Sequence, residues 1–136
     1  MIMKLGIIGT GLIVTEFLPF LSKMDGLEIN AVLSTPRSID TAKKMAADYN
    51  IPLATIRSDI DTAYVAVPNF MHFSYCEKVL TAHKNVIVEK PMTSNDKEAV
   101  ILKELAEKNH CFLFEAITTL HLGNYKKIQE WLGRIG

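Results

Sequence analysis

The chain has only two cysteines, Cys76 and Cys111, far apart and with no Cys-x-x-Cys pair. That excludes a disulfide framework and leads us to expect a reducing compartment, the cytoplasm. Long apolar runs are scarce too. The opening Met1-Ile2-Met3-Lys4-Leu5 is soon interrupted by glycines and by Glu16, so it reads as a first core strand and not as a signal peptide or membrane span. An excess of one charge is also lacking, because 15 basic and 15 acidic side chains cancel and neither sign forms a long run. Nucleic acid and anionic membranes are therefore not expected partners, and any anion must be held locally. No repeat, low-complexity tract or long linker divides the chain.

What remains is a sequence of 136 residues with 49% hydrophobic content, which fits one domain with one continuous core. Short β-rich runs alternate with longer segments of helical period, as in βαβ units on a parallel sheet. Strands are expected at Leu5 to Ile8, Ile29 to Leu33, Ala63 to Val67, Val86 to Val88 and Phe112 to Glu115. A marginal one is expected near Leu53 to Ile56. Apart from the marginal one these are continuous apolar runs, as strands covered on both faces require. Helices are expected at Ile13 to Lys23, Asp40 to Asp48, Phe73 to Ala82, Asp96 to Lys108 and Tyr125 to Leu132. Asn95 followed by Glu98 is a capping box for the fourth, and Pro19 should kink the first. The fold class is α/β: a Rossmann-like, doubly wound, mostly parallel sheet with helices on both faces.

Gly9-Thr10-Gly11 leaves the first strand and opens the first helix. A tight turn there brings backbone N–H groups and the positive end of the helix against a pyrophosphate. Val14 stands where the dinucleotide fingerprint takes Gly or Ala, so the match is imperfect. The glycine turn alone would also suit an adenosyl-binding, methyltransferase-like domain. After the second strand, Ser34-Thr35-Pro36-Arg37-Ser38 has no acidic residue for the ribose hydroxyls of NAD. Hydroxyls with Arg37 suit the 2′-phosphate of NADP better. The alternative, turn residues before Pro36 with Arg37 facing water, stays open.

Glu89-Lys90-Pro91 closes the apolar run Asn85-Val86-Ile87-Val88. In an open α/β sheet ligands lie at such strand ends, so an amine there can serve chemistry. His72 and Cys76 are one helical turn apart, but two ligands without a third make no metal site, and none is expected.

Gly6-Ile7-Ile8-Gly9-Thr10-Gly11, Val65-Ala66-Val67-Pro68-Asn69 with His72, Glu89-Lys90-Pro91 and Glu115-Ala116 occur in one order and spacing. Together they resemble the Gfo/Idh/MocA family of NAD(P)-dependent oxidoreductases, with Glu115-Ala116-Ile117-Thr118-Thr119 nearest its dihydrodiol dehydrogenase-like branch. The resemblance implies a cofactor cleft with Gly9, Thr10, Gly11, Leu12 and Ile13 at the pyrophosphate. Ser34, Thr35 and Arg37 would lie at the adenosine ribose, and Val67, Pro68, Asn69 and His72 along the central crevice. Glu89 and Lys90 would stand by the nicotinamide, with Lys90 as the catalytic lysine. The implied reaction is hydride transfer between NAD(P), with NADP preferred, and a sugar, polyol or related alcohol or carbonyl.

The chain departs from the family at Leu120, where a basic residue is common, and at Gly123, where a proline is common. Both changes bear on substrate class. His121 stays outside the catalytic set. The resemblance also divides the chain into a nucleotide-binding domain, 1–132, and the entry, 133–136, to a second domain that supplies the substrate pocket and the oligomer interface. We therefore expect cofactor binding with negligible turnover, and self-association through the uncovered apolar surface. The competing reading is a non-catalytic dinucleotide-sensing or partner-binding module.

Overall fold

The apolar runs form five strands that pair in parallel in the order β2-β1-β3-β4-β5. A computed structural model of the protein describes residues 2–53, 59–117, 123 and 127–131. The strands are β1 (Met3–Ile8), β2 (Leu27–Leu33), β3 (Thr62–Val65), β4 (Asn85–Glu89) and β5 (Leu113–Ala116). The helices are α1 (Leu12–Leu21), α2 (Ile39–Tyr49), α3 (His72–Thr81) and α4 (Asp96–Lys108), with 3-10 turns at Pro36–Ser38 and Asn69–Met71. Residues 127–131 are helical as well. The rest of the helix expected over 125–132, the loop carrying Leu120 and His121, and the inter-domain entry at 133–136 lie outside the described residues. Of the marginal strand, Leu53 makes a single parallel bridge to Val32, and 54–56 lie outside too.

The sheet splits the expected single core into two layers. Successive residues of a strand point to opposite faces, so Ile7 joins Val14 and Leu18 of α1 and Met45 of α2, while Ile8 joins Cys76 and Leu80 of α3 and Leu102 of α4. Val86 and Val88 face the α3/α4 layer, and Ile87 packs against the α1/α2 layer. That is the doubly wound arrangement expected from uninterrupted apolar strands. At β5, the last strand of the sheet among the described residues, Phe112 and Phe114 are exposed and stacked on each other, ring centroids 5.9 Å apart. Among the described residues no helix is long and apolar enough to cross a membrane.

Helix α1 runs through Pro19 to Leu21. Lying three residues from the end, the proline forfeits only the donor that would reach the Thr15 carbonyl. Helix α4 begins where the capping box placed it: the Asn95 side chain accepts from the Glu98 N–H at 3.0 Å, and the Glu98 carboxylate accepts from the Ser94 N–H at 3.1 Å.

A crevice at the switch point and a tethered lysine turn

Strand order reverses at β1, which has β2 on one side and β3 on the other, and ligands lie beyond the strand ends at such a point. A cleft of about 830 Å³ opens there. Its walls are the turns after β1 (Gly9, Thr10, Gly11), after β2 (Thr35 to Ser38, with Thr41) and after β3 (Ala66 to Pro68, with Phe70 and Met71).

Gly9 makes the cleft possible. Its φ is +118°, and a Cβ there would stand 2.3 Å from the Ala66 carbonyl oxygen. Only glycine takes that backbone without strain and lets β3's end come so close. The Gly9 N–H donates to the Leu33 carbonyl at 2.9 Å, which ties the ends of β1 and β2 together. Gly11 is the N-cap of α1, has no side-chain cap and meets nothing within 4 Å of where its Cβ would be. The first turn, from Leu12 and Ile13, therefore keeps N–H groups free for an anion, and no acidic residue of that turn opposes one. Val14, the mismatch in the fingerprint, is accommodated in the α1/α2 layer at 1% exposure.

On the β2 side the Thr35 and Ser38 hydroxyls are 3.1 Å apart, and the Ser38 N–H donates to the Thr35 carbonyl at 3.0 Å. Arg37 is exposed and has no salt-bridge partner among the described residues. The Ser34 hydroxyl oxygen is buried and without a hydrogen-bond partner. A buried hydroxyl left unpaired costs about 1–3 kcal/mol, which a ligand can recover.

The Lys90 turn leaves β4 at the same edge of the sheet, and the Lys90-Pro91 peptide is cis. Three side chains hold it. The Tyr64 hydroxyl donates to Glu89 Oε1 at 2.5 Å. His72, with no exposed surface, lies with Nδ1 2.7 Å from the Pro91 carbonyl oxygen and Nε2 2.8 Å from that of Val67. The Met92 N–H donates to Glu115 Oε1 at 2.8 Å. Lys90 itself is exposed and makes no side-chain hydrogen bond or salt bridge among the described residues. Burial, reinforced by the bond to Glu89 and its charge, raises the Tyr64 phenol above its ordinary range. Burial alone pushes the Cys76 thiol up to about 12, so that side chain behaves as core.

The cleft thus gathers Gly9, Thr10, Gly11, Thr35, Arg37, Val67 and Pro68 of the residues singled out from the sequence. Leu12, Ile13, Ser34 and Asn69 belong to the same turns without lining it. Both ring nitrogens of His72 are committed to carbonyls, and Glu89 is turned to the α1 face, beside a small pocket lined by Leu5, Phe17, Leu21 and Ile87. Neither residue lines the cleft. Phe70, Met71, Ser38 and Thr41 line it without having been singled out; Phe70, at 81% exposure, carried a signal as an aromatic two residues beyond Pro68.

A family model described as an oxidoreductase family with an NAD-binding Rossmann fold matches residues 3–117. Among curated relatives, scyllo-inositol 2-dehydrogenase (NADP(+)) IolU of Bacillus subtilis is 33% identical over 98% of this chain and 42% of that protein. Trans-1,2-dihydrobenzene-1,2-diol dehydrogenase of Xenopus laevis is 30% identical over 96% of this chain and again 42% of its own length. The crystal structure of KijD10, a 3-ketoreductase from Actinomadura kijaniata in complex with NADP and TDP-benzene, superposes with a TM-score of 0.91 at 26% identity, over 98% of this chain and 43% of that one. This chain therefore spans less than half the length of the relatives it matches. The family match runs from β1 to the residue after β5, and on that ground the chain belongs to the Gfo/Idh/MocA oxidoreductase family, whose NAD-binding Rossmann fold it carries.

Proposed function

We propose that the chain is the dinucleotide-binding part of an oxidoreductase that moves a hydride between NADP and a sugar, polyol or related alcohol or carbonyl. The observation that carries the cofactor reading is the β2 end of the cleft, where the buried Ser34 hydroxyl and Arg37 have no partner among the described residues. A 2′-phosphate offers acceptor oxygens to both, and its bond to a guanidinium is charge-assisted. The NADP in the names of IolU and of the KijD10 complex agrees with this. The Gly9-Thr10-Gly11 turn and the free N–H groups at Leu12 and Ile13 would take the pyrophosphate. Val67, Pro68 and Asn69 would guide the chain of the cofactor toward β4, and Phe70 offers a ring face for the adenine.

The bound nicotinamide supplies or accepts the hydride; everything else falls to the protein. Oxidation of a carbinol needs its hydroxyl proton removed, and reduction of a carbonyl needs the developing oxyanion stabilised. Lys90, exposed and without a side-chain partner among the described residues, is the group for both, as ammonium toward an oxyanion and as amine toward a hydroxyl. Fixing a substrate within reaction distance takes contacts beyond a cofactor cleft. In the relatives' full length these would come from the remainder of the protein, so this chain alone would bind cofactor and turn over negligibly. Fluorescence titration tests the reading: NADPH is expected to bind about tenfold or more tightly than NADH. Equal affinities would overturn the 2′-phosphate assignment, and binding of neither would overturn the dinucleotide site.

A further inference from the structure

His72 heads α3 directly after the 3-10 turn of Asn69–Met71, yet it is fully buried and spans two loops. Nε2 faces the carbonyl of Val67, a wall of the cleft; Nδ1 faces the carbonyl of Pro91, the neighbour of Lys90. A carbonyl oxygen can only accept and a neutral imidazole carries a single N–H, so the ring donates to one carbonyl and lies in close contact with the other, and the tautomer decides which. The far side of the same turn is held by Glu115, which accepts from the Met92 N–H. The backbone of the two residues after the lysine is thus held by side chains from β5 and α3, and one of those side chains also meets the cleft wall.

We propose that His72 is a positioning residue that couples the cleft to the Lys90 turn, so that a ligand pressing on the Val67 wall alters the placement of Lys90. The tether stands on geometry alone; its catalytic meaning rests on the reading of Lys90 given above. Rigid elements joined by directional bonds are a physical route for such coupling, and the strength of the coupling is measurable as a free energy between sites.

The test uses this chain, labelled with 15N, and adenosine 2′,5′-bisphosphate. That probe carries the 2′-phosphate but no nicotinamide, so any response at Lys90 must travel through the protein. In His72→Asn the amide nitrogen falls near the place of Nδ1 and keeps the Pro91 end; in His72→Gln it falls near Nε2 and keeps the Val67 end. Saturating probe is expected to shift the Lys90 and Met92 amide resonances of the unaltered chain, and the shift should fall about threefold or more in both variants. Full shifts in both variants, or none in the unaltered chain at saturation, would overturn the coupling.

Failure of the probe to bind would instead sink the cofactor reading, and the tether has a ligand-free measure. Exchange of the Met92 amide should be about tenfold faster in His72→Gln, which gives up the Pro91 end, and near parental in His72→Asn, which keeps it, with the core amides of Val86 and Val88 unchanged in both. Unchanged Met92 exchange in His72→Gln would overturn the tether. Should a His72 variant fail to fold, the unaltered chain still decides the coupling, since saturating probe must shift its Lys90 and Met92 amide resonances and no shift would overturn it.

Discussion

Two loops at the same edge of the sheet are built in opposite ways. The cleft is held almost wholly by backbone: the Gly9 N–H bonds Leu33, the Ala66 N–H bonds Ile8 and the Ser38 N–H bonds Thr35. Beside it, the Ser34 hydroxyl and the Arg37 guanidinium have no partner among the described residues. The Lys90 turn is held by side chains, with Tyr64 on Glu89, His72 on Pro91 and Glu115 on Met92. The difference follows from what each loop must do. A binding cleft keeps its donors free because the ligand is to satisfy them, whereas a reactive amine works best on a backbone that does not move.

The most damaging way to break the contrast is at Gly9. Gly9→Ala puts a methyl 2.3 Å from the Ala66 carbonyl oxygen on a backbone at φ +118°, so both strain and overlap must be relieved by parting β1 from β3. A loss of roughly 3 kcal/mol or more is expected in urea unfolding, together with loss of NADPH binding, because the cleft wall itself moves. A variant as stable as the parent would show that the two strand ends tolerate separation.

A smaller effect is expected on the tethered side. Tyr64→Phe removes the hydroxyl bonded to Glu89 and should cost about 1–2 kcal/mol at neutral pH, with NADPH affinity little changed. It also changes the alkaline limb of stability. The folded phenol is raised chiefly by burial and then by Glu89, so its contribution is complete below the ordinary phenol range near 10 and is lost as pH climbs above it. The Cys76 thiol, raised from 9.0 to about 12, adds a loss that begins lower. Urea midpoints measured between neutral pH and about 11 should therefore fall with rising pH in the parent. In Tyr64→Phe the fall should be shallower, with the shares of Cys76 and of the other raised groups, Cys111, Lys4 and Lys103, remaining; identical slopes would mean that the Tyr64 proton is not bound more tightly in the folded state.

The cleft was largely legible in the sequence because its features are local. Gly9 and Gly11 mark a turn by themselves, and Ser34, Thr35 and Arg37 follow a strand end at short range. Strand positions were legible for the same reason, with ends off by a residue or two, as at β5, which begins at Leu113 and not Phe112. The lysine turn was only half legible. Lys90 could be picked out, but its supports depend on register: Tyr64 lies opposite Ile87, so Glu89 is two residues on and on the same face, and nothing in either segment alone reveals that. Glu115 was noticed as part of a motif, and only its place on β5, beside β4, shows what it holds. The family resemblance set His72 along the crevice; in the fold it follows the 3-10 turn and is buried, while Phe70 of that turn lines the cleft.

The smallest expected effect separates holding the fold from holding the lysine. Asn95 lies five residues beyond Lys90 and caps α4, accepting from Glu98 while Glu98 accepts from Ser94. Its neighbour Thr93 donates to the Asn95 carbonyl at 2.9 Å, so this stretch forms a closed local set with no bond to the residues that hold Lys90. Asn95→Ala should cost about 1 kcal/mol, the usual worth of an N-cap, read as a lower urea midpoint with an unchanged slope. Met92 amide exchange and NADPH affinity should stay at parental values once that loss is allowed for, because Met92 is held by Glu115 and not by the cap. Faster Met92 exchange in this variant would extend the tethered region into α4 and would mean that the helix cap, as well as Tyr64, His72 and Glu115, fixes where Lys90 stands.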